Sequence, residues 1–306
     1  MFQMLTIEIG YVMAGIVVTL LAGSVAIVLL RPKFSAETGV KHLACMRTWW
    51  ILVFLFFLAI SFSKYIYIAL FCALALLAFS EFCHFSRARF NNYPIICCFI
   101  LICTHYFVIS QYSYYYFWGI AAATPFVIVL VVKYTTGSSK VLRLSFKLAV
   151  GVLICGFMLG HAAVVINLLP ADSYASAGAV LYLVLLTELN DVCQYVWGKA
   201  LGKHKVVRVL SPNKTLEGYV GGVISTAAVG VVIYPMLVPF SFYQSFVASL
   251  IIAVGGCGGD LLMSSLKRYF DVKDTSSILP GHGGILDRLD SLCVSSPFFF
   301  YYFLSL

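Results

Sequence analysis

The stretch from Tyr11 to Leu30, YVMAGIVVTLLAGSVAIVLL, is about twenty residues long and carries no charge. At ~1.5 Å per residue a helix of that length crosses the ~30 Å hydrocarbon core of a bilayer. A secretory signal would need basic residues ahead of a shorter apolar run. Here no Lys or Arg precedes it and basic residues follow it, so the segment is read as a retained span. Comparable runs recur at Trp49–Ser61, Tyr65–Leu77, Tyr93–Ser110, Tyr114–Val132, Leu148–Leu168, Ala175–Leu189, Tyr219–Val238, Phe242–Gly259 and Cys293–Leu306. A chain that is 62% hydrophobic and 10% charged, with a mean hydropathy of +0.98, lies outside the range of soluble domains. The expected fold is all-α: a polytopic integral membrane protein with about ten transmembrane helices.

The charges set an expected topology. Threading ten spans with the N-terminus outside puts all of the 20 Lys and Arg except Lys64 on one face, and by the usual excess of basic residues in cytoplasmic loops that face is the cytoplasm. The same placement explains the formal charge of +8 without nucleic acid. The segment Thr48 to Ser80 is long for one span and short for two, and a short hairpin about Lys64 is expected there. The 10 cysteines fall mostly inside apolar runs, where cysteine serves as a small hydrophobe, and they identify no redox compartment.

The chain divides unevenly. Residues 1–170 read as N-terminal spans joined by short, mostly basic loops, whereas 171–306 hold two loops, 190–218 and 264–292, that mix both charge signs with Gly, Ser, Thr and His. Chemistry is expected in those two. In the first, Lys199, Lys203, His204, Lys205 and Arg208 form a basic cluster, and Ser211, Lys214 and Thr215 offer donors of the kind that hold phosphate oxygens. Basic residues at a membrane rim commonly do no more than orient the protein or touch anionic lipid. The mixture Ser211-Pro212-x-Lys214-Thr215-x-Glu217-Gly218 at the mouth of a span is not explained that way.

Carboxylates at membrane depth are costly unless paired, hydrated or bound to a cation, which singles out Glu188, Asp191 and Asp260. The neighbouring glycines have a plainer reading, since Gly255 and Gly259, like Gly218 and Gly222, have the spacing of small-residue packing faces. In the last loop Lys267, Arg268, Lys273 and Arg288 offer cations for phosphate. Asp274, Asp287 and Asp290 offer hard oxygens for Mg²⁺, which takes one or two carboxylates and completes its shell from substrate phosphates. The run Gly281-His282-Gly283-Gly284 lets backbone N–H groups approach an anion without Cβ obstruction.

From Ser264 to Asp290 the pattern S-x-L-K-R-x4-K-D-x-S-x2-L-P-G-H-G-G-I-x-D-R-L-D resembles, without a gap, the C-terminal motif of the phosphatidate cytidylyltransferase (CDP-diacylglycerol synthase) family. The earlier G-K-x2-G-K-H-K and S-P-x-K-T-x-E-G runs resemble its second motif, so the likeness covers most of 190–291. One stretch departs: Asp191-Val192-Cys193-Gln194-Tyr195 stands where common bacterial members read approximately D-T-x-A-Y, which suggests a divergent bacterial subgroup and bears on the lipid substrate.

The resemblance implies attack of the phosphate of phosphatidic acid on the α-phosphorus of CTP, with release of pyrophosphate, at a site on the cytoplasmic interface of a bacterial inner membrane. It implies a metal pair, Mg²⁺ with K⁺, on Asp260 and Asp287, with Asp290 and Asp274 as second choices. Asp260, at a span end, and Asp287, in the following loop, would meet at the interface. Lys214, Lys267, Arg268, Lys273 and Arg288 would grip phosphates, Ser211 and Thr215 would assist, and His282, Gly283 and Gly284 would shape the nucleotide pocket. The family also implies a homodimer. Another CTP-dependent nucleotidyltransferase for a different lipid phosphate and a polyprenol kinase stay open. A transporter using Glu188, Asp191 and Asp260 explains less, because it gives no reason for phosphate-binding chemistry in two loops of one face. The spaced D-G…A-R…G…D…D pattern of CDP-alcohol phosphotransferases is absent from the sequence.

Overall fold

The structure, a computed structural model, describes residues 7–30, 36–86, 92–111, 114–136, 141–169, 174–207, 211–276 and 283–306. Within lipid every peptide group needs a partner within the protein, and continuous apolar runs of this length, lacking the alternation of barrel strands, satisfy that as helices. They are α1 (Ile7–Leu30), α2 (Ala36–Phe62), α3 (Lys64–Phe85), α4 (Asn92–Ser110) and α5 (Tyr114–Thr136), followed by an interrupted helical run over 141–167. That run consists of α6 (Val141–Val152), a π-helical turn at Leu153–Met158, α7 (Gly160–Val164) and a 3₁₀ turn at Val165–Asn167. Then come α8 (Tyr174–Leu201), α9 (Leu216–Leu237), α10 (Phe242–Tyr269) and α11 (Leu286–Leu304). Among the described residues nine helical segments are long and apolar enough to cross a membrane. The tenth expected span, α11, carries Asp287, Arg288 and Asp290 in its first turns, which leaves a shorter apolar remainder.

The expected bounds are corrected in places. Two spans do meet about Lys64 as expected, but the hairpin is not short, because α2 and α3 are 27 and 22 residues long and meet at Ser63, the cap of α3. Each helix recruits the polar residues flanking its apolar run, since backbone hydrogen bonding continues past the point where hydropathy falls. For the same reason much of the two expected loops is helical. α8 runs through Asn190 to Leu201, and α10 continues to Tyr269. Asp260 therefore lies inside a helix that runs on beyond the apolar run, and Asp287 lies in the first turn of α11 and not in a loop.

The centre of the bundle is the 141–167 run with α3, α8 and α11, whereas α1 has only Ile9 buried and turns its apolar surface outward. Polar side chains join the buried helices. His161 Nε2 lies 3.0 Å from the Tyr301 hydroxyl, Tyr67 donates to Ala162 O at 2.8 Å, and Thr187 and Ser295 hydroxyls lie 3.0 Å apart. Such contacts supply specificity where lipid and side chain are equally apolar. The glycine faces act as expected. A Cβ at Gly255 would lie 2.9 Å from Ser295 Cα, one at Gly259 would run into the backbone of Asp290 and Ser291, and one at Gly222 would lie 2.6 Å from Gln194 Cγ. These absences let α10 close on α11 and α9 on α8, which bring the charged residues of the C-terminal half to one pole. The nine cysteines from Cys72 to Cys293 form no disulfide.

Candidate active site

Four segments converge at that pole. The first is the polar end of α8. Asn190, fully buried, donates to Ala253 O at 3.1 Å and accepts from Thr226 at 3.5 Å, tying α8 to α10 and α9. One residue on, Asp191 accepts from Ser291 Oγ at 2.8 Å and from Gln194 Nε2 at 3.3 Å. Gln194, one of the two residues that depart from the common bacterial pattern, thus contacts the Asp191 carboxylate.

The second segment is a hairpin, β1 (Lys205–Val207) paired antiparallel with β2 (Ser211–Thr215), which leads into α9. Thr215 caps α9 by accepting from Gly218 N at 3.2 Å. Glu217 accepts from Lys203 N at 3.0 Å and from His204 N at 3.2 Å, which fixes the root of the hairpin. Lys214, at its end, forms an ion pair with Asp260 of α10, the third segment. Lys267, two turns further along α10, pairs with Asp287 of α11 at 2.7 Å.

The fourth segment is the start of α11 and the loop before it. Asp287 Oδ1 takes the Lys267 ammonium, and its Oδ2 accepts from Thr275 N at 3.0 Å, Thr275 Oγ1 at 2.9 Å and Gly284 N at 3.0 Å. Burial works to raise the Asp287 carboxyl, but the Lys267 charge and these donors outweigh it and hold it below the usual carboxylate range. Gly283 has φ of 81°, the left-handed region open to glycine, and a Cβ there would lie 3.0 Å from Asp287 Oδ2. Asp290 is 7% exposed and within electrostatic reach of Asp260, Asp191 and Lys267; Glu188 is within reach of Arg288 and Asp290. Arg288 Nε and the Tyr219 hydroxyl are buried with no partner among the described residues.

Of the residues singled out by sequence, the fold therefore gathers Lys214, Asp260, Lys267, Asp287, Arg288 and Asp290, together with Glu188 and Asp191. Ser211 stands at the far end of β2. Arg268 is exposed on the last turn of α10 and donates to Val272 O at 3.2 Å, and Lys273 and Asp274 are exposed in the following loop. His282 and Arg208 lie outside the described residues. Sequence reading passed over two carboxylates. Glu217 stood in plain view within a quoted motif. Glu81, 2% exposed near the end of α3, accepts from Thr275 Oγ1, Ser276 Oγ, Ile285 N and Leu286 N. It interrupts an apolar run much as Asp260 does, and that was the available signal.

In kind, this is a polytopic, all-helical integral membrane protein that concentrates carboxylates, ammonium and guanidinium groups and uncommitted donors at one pole of its C-terminal helices. The model of the cytidylyltransferase family matches residues 44–306, and the chain belongs to that family of nucleotidyltransferases. It is 36% identical over 263 residues to the "Uncharacterized protein YnbB" of Escherichia coli (strain K12), covering 84% of this chain and 85% of that protein. It is 43% identical over 120 residues to the phosphatidate cytidylyltransferase of Staphylococcus haemolyticus (strain JCSC1435) and over 119 residues to that of Staphylococcus aureus (strain COL). Those matches cover 39% of this chain and 46% of each relative.

Proposed function

We propose that the protein is a phosphatidate cytidylyltransferase that converts CTP and phosphatidic acid to CDP-diacylglycerol and pyrophosphate, in the inner membrane and facing the cytoplasm. The observation that carries this reading is the pairing of Asp260 with Lys214 and of Asp287 with Lys267 at one pole, beside Arg288 Nε and the Tyr219 hydroxyl, which are buried without a hydrogen-bond partner among the described residues. The attacking phosphate is already an anion at neutral pH, so no strong base is required. What the reaction needs is in-line placement of two negative groups and positive charge on the transferring and leaving oxygens. Lys214, Lys267 and Arg288 would bind those oxygens, and partial exclusion of water would strengthen each charge. Phosphatidic acid would reach the same pole laterally along the apolar faces of the helices.

The donor set suits a hard cation. It is carboxylate oxygen only, and among the described residues no three His, Cys, Asp or Glu side chains converge on one point, so an ion would take one or two carboxylates and complete its shell from substrate phosphates and water. Asp260 and Asp287 would hold Mg²⁺, with K⁺ beside it, and Asp290 is the next in line. A bound Mg²⁺ would supply Lewis-acid stabilisation of the triphosphate. Asp287 would then exchange its contact with Lys267, freeing that ammonium for phosphate.

The test is turnover of detergent-solubilised protein with labelled CTP and a panel of lipid phosphates. One pyrophosphate and one CDP-lipid per turnover are expected, dependent on Mg²⁺, and Asp260→Asn should lower kcat by a factor on the order of 10³. Release of CDP with a phosphorylated lipid would replace the reading with a kinase. No use of CTP with any lipid phosphate, by folded protein, would remove it.

A further inference from the structure

The first two turns of α11 carry Asp287, Arg288 and Asp290, so the aim of the helix start decides where these three charges stand. A helix start leaves its first amides without intrahelical partners. Here the cap residue, Ile285, offers no side-chain hydrogen bond. Gly284 N turns to Asp287 within the same segment, while Ile285 N and Leu286 N donate at 2.9 Å to the two oxygens of Glu81, a residue of α3 about 200 positions earlier. The same carboxylate accepts from Ser276 Oγ at 2.6 Å and from Thr275 Oγ1 at 3.1 Å. Thr275 Oγ1 also lies 2.9 Å from Asp287 Oδ2, so one hydroxyl bridges the two carboxylates.

Oε1 of Glu81 therefore meets two donors, Oε2 meets one amide and a hydroxyl whose single proton it shares with Asp287, and the charge is balanced by these hydrogen bonds and by the positive end of the α11 dipole. Gly284 makes the approach possible, because a Cβ at that position would run into both Thr275 Oγ1 and Glu81 Oε2. The end of α3 is held in place by contacts of its own. Phe82 and Phe85 pack edge-on against Phe270 with ring centroids 6.1 and 5.7 Å away. Lys147 donates to Ser86 O at 3.2 Å and lies 5.1 Å over the same Phe270 ring. Glu81 thus reaches α11 from a fixed base.

We propose that Glu81 is a positioning residue of the active site: its carboxylate clamps the Thr275–Ser276 loop to the start of α11 and so sets Asp287, Arg288 and Asp290 for transfer. The kinetic consequence rests on the cytidylyl-transfer reading, while the clamp itself does not. In Glu81→Gln the amide keeps the length but offers one acceptor oxygen, and its NH₂ faces donors. The full-length protein in detergent should fold, with turnover per folded molecule lower on the order of 10²-fold, since misplacement of about 1 Å costs that much. Glu81→Asp, which keeps the charge, should recover part of the loss. A purely structural role would instead lower the melting temperature and leave turnover per folded molecule unchanged.

Hydrogen exchange separates the clamp from the chemistry. In Glu81→Gln, amides of 283–290 should lose protection while those of 242–258 keep theirs, whether or not the wild type uses CTP. If the Gln variant does not fold, Ser276→Ala carries the test by withdrawing one donor, with turnover lower by about fivefold, the value of one hydrogen bond of about 1 kcal/mol. Unchanged protection of 283–290, or wild-type turnover in a folded Gln or Ala variant of an active enzyme, overturns the proposal.

Discussion

Replacing Lys267 with Met tests how the site holds its own charge. The Lys267–Asp287 pair is 2.7 Å long, and its side chains are 13% and 8% exposed. Removing one partner of a buried pair costs about 3–5 kcal/mol, because the other charge is left in a poor solvent. Asp287 would still have two amide donors and a shared hydroxyl on Oδ2, which offset part of that cost and place the expected loss near the lower end, about 3 kcal/mol. Adding Asp287→Asn should restore stability. The Asn oxygen can occupy the Oδ2 position and keep those donors, while its NH₂ takes the Oδ1 position, where Met presents no competing donor. Neutralising the orphaned charge should return about 1–3 kcal/mol, a coupling typical of residues in contact.

The assay is thermal unfolding of wild type, both single variants and the double variant in one detergent, with the double expected to melt above Lys267→Met. The pH dependence has a fixed sign. The Asp287 pKa is lowered on folding, so its contribution is complete above the unfolded value, near 3.8, and is lost as the pH falls below that through the folded value. The advantage of wild type over the double variant should shrink in that acid range. A Lys267→Met loss under about 0.5 kcal/mol, the scale of an exposed pair, would refute the reasoning, and so would a double variant no more stable than Lys267→Met.

Two further predictions concern packing and orientation. Gly259→Val should push α11 away at Asp290 and Ser291, costing about 1–3 kcal/mol and lowering turnover. Gly258→Ala, whose Cβ would meet only Val294 Cγ1 at 3.8 Å, should be neutral or stabilising by about 0.5–1 kcal/mol; equal melting temperatures for the two variants would remove the packing account. Single cysteines at Lys205 and Lys273, in a background cleared of accessible native thiols, should react only with reagent inside the cell, and one at Asp172 only with reagent outside. Labelling of position 205 from outside intact cells would overturn the orientation drawn from the basic residues.

Hydropathy and the bilayer's demand for internally paired backbone were enough to define an all-helical membrane protein, because that demand acts on every apolar run separately and needs no neighbour. The two C-terminal motifs likewise named the residue types to which the proposed chemistry is assigned. The helix ends were not legible: α8 and α10 continue into residues that read as loops, since hydropathy marks where lipid ends and not where hydrogen bonding ends. Which charges meet was decided by tertiary packing. Lys214 reaches Asp260 because glycines let α9 close on α8 and because a hairpin, held by Glu217, turns the chain back toward α10. Glu81 shows the difference most plainly. In sequence it is one carboxylate in an apolar run far from either motif, and only the docking of α3 against the end of α10 brings it to the free amides of α11, an arrangement that depends on three-dimensional neighbours and so leaves no local signature.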